Sequence, residues 1–154
     1  MAFTFPVPPL TNPITFRASA VLLGGNAWDV TPLVVACPAH SKLTLFLSYT
    51  RGAAGGAFDF QILVSPYSAD VVGVQSWFMQ SEFTPAVLAA GVDSQSRLQR
   101  EYVTYASQAA AIENVVYGPV DLGANIERVQ VRARESSQVA VGTLHVVGVI
   151  YSEQ

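Results

Sequence analysis

The chain has 154 residues, enough for one domain that buries roughly 70% of the surface its unfolded form exposes. Its net charge of −3, with only eight Lys plus Arg, excludes the basic stripe that nucleic-acid binding requires. Charged residues make up 12% against 51% hydrophobic, about half the charged share usual in soluble domains, so part of the exterior is expected to lie against something else unless Ser, Thr, Gln and Asn cover it.

Met1–Phe16 carries prolines at positions 6, 8, 9 and 13, with Phe3, Phe5, Val7, Leu10, Ile14 and Phe16 between them. Proline removes ladder donors and fixes φ, so the segment reads as an extended, polyproline-like arm and not as a helix or a central strand. It either folds back on its own domain or reaches onto a neighbouring subunit, and the second is favoured. The same stretch lacks a basic n-region, so an export signal is not expected and synthesis in a cytoplasm is.

A domain is expected over 17–154. Arg17–Leu23 reads as its first strand, and Trp28–Ala36 as a second that Pro32 confines to an edge or bulge. Cys37, the one cysteine, sits in an apolar run as a small buried hydrophobe, and neither an intrachain disulfide nor a thiolate metal cluster is available. Ser41–Ser65 has the strongest pattern in the chain. Leu43, Leu45, Leu47 and Tyr49 alternate with polar or outward positions, as do Phe58, Phe60, Ile62 and Val64 after Arg51-Gly-Ala-Ala-Gly-Gly. The stretch is expected to be a β-hairpin with a longer loop, or two neighbouring strands of a sandwich.

Val74–Phe83 reads as a short strand. Thr84–Ser96 allows a helix start at Thr84-Pro85 that Gly91 would end. Arg97–Ser107 alternates as a strand with one mixed face. A further strand over Ala109–Val116 is expected to end in a turn at Tyr117-Gly118-Pro119, with a second turn at Asp121–Asn125. Ile126–Arg134 turns Val129, Val131 and Ala133 one way and Arg128, Gln130, Arg132 and Arg134 the other. Arg128, Arg132 and Arg134 form a row that either pairs with an acidic partner or is solvated. Val139–Tyr151 is apolar on both faces, as a central or interface-forming strand would be. About eight to ten short strands with almost no helix indicate an all-β fold, a single-domain β-sandwich or barrel of jelly-roll type.

The residues of chemistry are sparse. His40 and His145 are the only histidines, and no His-x-His or Glu-x-x-His spacing supports a zinc site. No Gly-x-Ser-x-Gly elbow, P-loop or calcium loop occurs. Asp59 and Glu101 are acids without a signature. The chain is therefore expected to be no enzyme and to use no cofactor. Apolar runs are too short to cross a bilayer, so a membrane partner is not expected. Trp77, Tyr102 and Tyr105 are candidates for stacking on a sugar, or else core and interface aromatics.

The succession KLTLFLSYTRG, FDFQILVS, a Trp-Phe pair, GPVDLGANIERVQVRARESS and GTLHVVGVIY resembles small virion proteins of tailed bacteriophages. It is similar in particular to the trimeric capsid decoration (cement) proteins of phages infecting thermophilic bacteria, over most of Arg17–Tyr151. The chain departs from thermophile habit in having little charge with which to build ion-pair networks. The resemblance implies a homotrimer on the capsid exterior, partnered by the major capsid protein and stabilising its lattice, with the N-terminal arm across a neighbour. The alternative is a tail- or fibre-associated, or free-standing, jelly-roll module that binds carbohydrate.

Overall fold

Period-two alternation dictates strands, and a computed structural model of the chain is built from them. It describes residues 12–80, 82–83, 99–100, 102–107, 111–137 and 139–152. The strands are β1 (Ile14–Val21), β2 (Val34–Ala36), β3 (Ser41–Thr50), β4 (Ala57–Ser65), β5 (Phe78–Met79), β6 (Glu82–Phe83), β7 (Gln99–Arg100), β8 (Val103–Ala106), β9 (Ile112–Asp121), β10 (Arg128–Glu135) and β11 (Thr143–Ser152). The protein is all-β. One sheet (sheet A) runs β1-β11-β3-β9; the second (sheet B) runs β2-β10-β4-β5, with β8 also on β4. Every pairing is antiparallel, including the small β6–β7 pair.

The core lies between the two sheets. Leu43, Leu45, Leu47 and Tyr49 of β3 meet Phe58, Phe60, Ile62 and Val64 of β4 there, with Val129, Val131 and Ala133 of β10 and Leu144 and Val146 of β11. These are the inward positions that the alternation predicts. The last strand is also central as expected, lying between β1 and β3.

Several boundaries differ from the sequence reading, each for a physical reason. The hairpin reading of Ser41–Ser65 is wrong, because β3 and β4 belong to different sheets. β11 and β9 occupy both edges of β3, so the chain that returns from the glycine-rich loop crosses to the facing sheet. The first strand begins at Ile14, which takes Ile14 and Phe16 out of the arm. Phe16 is a core residue whose ring sits against Gly148, where any Cβ would collide with it. The proposed strand Trp28–Ala36 shrinks to Val34–Ala36: residues 28–33 form a loop, in which Pro32 has no amide to give a ladder.

Tyr117-Gly118-Pro119 is not a turn: β9 runs through it to Asp121 and shifts register opposite Leu43–Leu45. Gly118 makes this possible, with φ +116 and only 2.7 Å between an added Cβ and the Leu43 carbonyl oxygen. Val74–Phe83 and Arg97–Ser107 each contribute two short strands in place of one. Thr84–Ser96 and the first eleven residues of the arm, with Phe3, Phe5, Val7 and Leu10, lie outside the described residues.

Candidate functional site

Among the described residues a polar cluster lies in the interior between the sheets. Glu135, at the end of β10, is 1% exposed. It accepts hydrogen bonds from Tyr49 Oη at 3.1 Å, the Gly142 amide at 2.9 Å and the Ala57 amide at 3.2 Å, and from Ser137 Oγ. The carboxylate thus ties β3, the start of β4 and the approach to β11 together. Burial, and then the charge of Glu135, push the Tyr49 hydroxyl above its ordinary pKa. Every acceptor and donor here is used by the chain itself, which marks a structural clasp.

Over β10 and β4 the outer face of sheet B is covered by its own chain, while Val34 and Met79 at its flanking strands stay exposed. Arg128, Arg132 and Arg134 project from it, and each is engaged within the molecule. Arg134 Nε donates to Asp59 Oδ2 at 2.8 Å, and Thr104 Oγ1 donates to Asp59 Oδ1 at 2.7 Å. Arg132 Nε donates to Gln61 Oε1 at 2.7 Å. Arg128 donates to the Tyr67 carbonyl at 2.6 Å and to Asp70 at 2.8 Å. Aromatic rings cover the guanidiniums: Trp28 lies 4.3 Å from Arg134 and 5.2 Å from Arg132, Tyr102 lies 4.8 Å from Arg134, and Trp77 lies 4.7 Å from Arg128. Burial and the neighbouring Arg134 lower the Arg132 pKa. The arginine row is therefore neither a solvated face nor a set of free partners. The alternation located the row, but its coverage by Trp28, Tyr102 and Trp77 carries no local signal.

The outer face of sheet A is different. Val147, Phe46 and Val116 are matched across β11, β3 and β9. Phe46 is 44% and Val116 62% exposed, and with Asn114, His145 and Val147 they line a shallow depression of about 310 Å³. Lys42, at one end of β3, is the charged residue that alternation places on the outer side of that strand.

No chemistry assembles among the described residues. His145 pairs in register with Ser48, whereas His40 precedes Ser41 at the other end of β3, roughly 24 Å away at ~3.4 Å per residue. No group of three or more His, Cys, Asp or Glu stands ready for a metal among the described residues. Asp59 is occupied by Arg134 and Thr104, and Glu101 lies outside the described residues. Of the sugar-stacking candidates, Trp77 lies under Arg128, Tyr105 donates to Glu113 at 3.4 Å, and Tyr102 faces Arg134.

No helix of the described residues is long and apolar enough to cross a membrane. Comparison with protein-family models, curated proteins and solved structures finds no match to the chain.

Proposed function

We propose that this protein is a non-enzymatic structural component of a phage virion, which binds the capsid exterior as a homotrimer and stabilises the lattice of the major capsid protein. One observation carries the reading. A chain with few charges employs the arginines of sheet B internally, yet leaves apolar surface open on sheet A. Such a surface suits burial against other protein, because large apolar area with few desolvated charges is what a stable interface needs. Many copies on one lattice then reinforce one another through avidity.

The strand order also supports a jelly roll, with β1-β11-β3-β9 facing β2-β10-β4-β8. Viral capsid and lectin domains use that arrangement, an argument by analogy of fold. The carbohydrate-binding reading has less in its favour, because the rings of Trp28, Trp77 and Tyr102 already stack on arginines.

The test is solution mass by light scattering at several concentrations, followed by co-sedimentation with phage capsids stripped of decoration. A stable trimer and saturable binding are expected. Phe3→Ser with Phe5→Ser in the full chain should leave the domain folded and weaken capsid binding at least tenfold. A monomer that stays in the supernatant at every concentration would sink the reading.

A further inference from the structure

The outer strands of the two sheets differ in how they treat their free edges. β1 shifts register twice against β11, and the Arg17 guanidinium takes the carbonyls of Ala20 and Val21. β2, β5 and β8, the outer strands of sheet B, have only three, two and four residues. Bulges, occupied carbonyls and short strands all keep an edge from pairing with another chain. β9, the other outer strand of sheet A, has ten residues. Its far end is guarded, because Gly118 and Pro119 stand at a register shift and Pro119 has no amide to offer. From Ile112 to Tyr117 it pairs with β3 in unbroken register. The Arg51 amide donates to the Ala111 carbonyl at 3.1 Å, which sets the phase of that ladder. Glu113, Val115 and Tyr117 therefore turn their N–H and C=O groups to β3, and Ile112, Asn114 and Val116 turn theirs outward. Among the described residues no strand pairs with that outward edge.

We propose that Ile112–Val116 pairs antiparallel with the same stretch of a second copy, across a two-fold axis at Asn114. The segment is complementary to itself. With Asn114 opposite Asn114, the outward amides of each copy meet the outward carbonyls of the other. Ile112, 57% exposed, then lies opposite Val116, 62% exposed, once on each side of the axis. The row Val147, Phe46, Val116 on the outer face continues into Ile112 and Thr50 of the second copy. Glu113, which accepts from Tyr105 Oη at 3.4 Å, falls opposite Val115, so no charge meets its like. The neighbouring registers fit less well. A shift one way sets Glu113 against Glu113, and a shift the other way sets Asn114 against Val116 and Pro119 against Ala111.

A contact five residues long is small beside the roughly 1,000 Å² of a standing interface, so it is weak in solution and counts most where copies are held close together. A two-fold contact uses the same patch on both copies and cannot close a ring of three. It is therefore additional to any trimer interface and joins one trimer to the next. It extends sheet A sideways and leaves the outer face over Phe46 and Val147 open. The inference concerns how copies join and stands whether or not a capsid is the partner.

The experiment uses the full chain with Cys37→Ala and cysteines placed on this edge, oxidised and run on a non-reducing gel. Residues paired across the axis have Cα atoms about 5.5 Å apart, within reach of a disulfide. Asn114→Cys alone should give covalent dimers and nothing larger. Ile112→Cys alone should give at least about tenfold less, because its counterpart stands four residues, about 14 Å, further along the strand. Ile112→Cys combined with Val116→Cys should again give dimers. Thiols that stay free in Asn114→Cys and in the combined variant would overturn the proposal, as would Ile112→Cys linking as readily as Asn114→Cys. A ladder of larger species from the combined variant would mean head-to-tail pairing and would overturn the two-fold axis. Adding Asn114→Asp to the combined variant sets two carboxylates face to face, and should slow dimer formation about fivefold at low salt and less at high salt. A rate that does not change would overturn the register.

Discussion

Sheets A and B use the same alternation and present opposite exteriors. On β3 the pattern leaves every second side chain facing out, and Phe46 stays open. On β4 the outward positions Asp59, Gln61 and Leu63 are as buried as the inward ones. The difference comes from loops. Residues 26–29, 67–77 and 102 bring Trp28, Tyr67, Asp70, Trp77 and Tyr102 over sheet B, where the arginines of β10 bind them in place, and Thr104 of β8 donates to Asp59 from within the sheet. A guanidinium stacked between a ring and a carboxylate is held by geometry as well as by charge. Among the described residues nothing equivalent lies over Val147, Phe46 and Val116. Side chains of the same chain cover β10 and β4 on one face, whereas Phe46 and Val116 stay exposed on the other.

The largest test of that contrast is Asp59→Ala. It leaves Arg134, itself largely buried, without its carboxylate and deprives Thr104 of its acceptor. Breaking a buried pair from one side should cost about 3 kcal/mol in urea denaturation. A loss below about 1 kcal/mol would mean that the sheet B covering contributes little.

The interior between the faces gives a smaller, pH-dependent effect. Burial raises the Cys37 thiol from 9.0 to about 11. The folded state favours the neutral thiol, so this contribution is complete below pH 9 and is lost as pH climbs through 11. Tyr49, raised as well, adds to the alkaline decline. Cys37→Ala should flatten the fall in stability between pH 9 and 11, and an unchanged slope would show that the thiol is not the titrating group.

The smallest effect belongs to sheet A. Val116→Thr should change the stability of dilute protein by no more than about 0.5 kcal/mol, since it removes no internal partner. A larger loss, measured where the protein is monomeric, would place part of its own chain on that face.

The all-β class, the inward residues of β3, β4 and β10, and the central place of β11 were legible in the sequence. Each follows from a local rule, since side chains two residues apart share a face and burial selects that face. The arginine row was legible as a row for the same reason. Its partners were not, because Trp28 and Arg134 are adjacent only after the chain has folded. The same limit explains the hairpin. The glycine-rich loop after β3 announces a reversal, but the sheet that receives β4 is settled by β9 and β11, which claim the edges of β3 from much later in the chain. Gly118-Pro119 reads as a turn by composition, and only the partner strand makes it a register shift inside β9. Likewise Phe16 looks like one more apolar residue of the arm until Gly148 leaves room for its ring. The sequence by itself determined which side chains share a face. Strand pairing between distant segments decided which faces are covered, because an edge holds one partner and the local pattern does not say which.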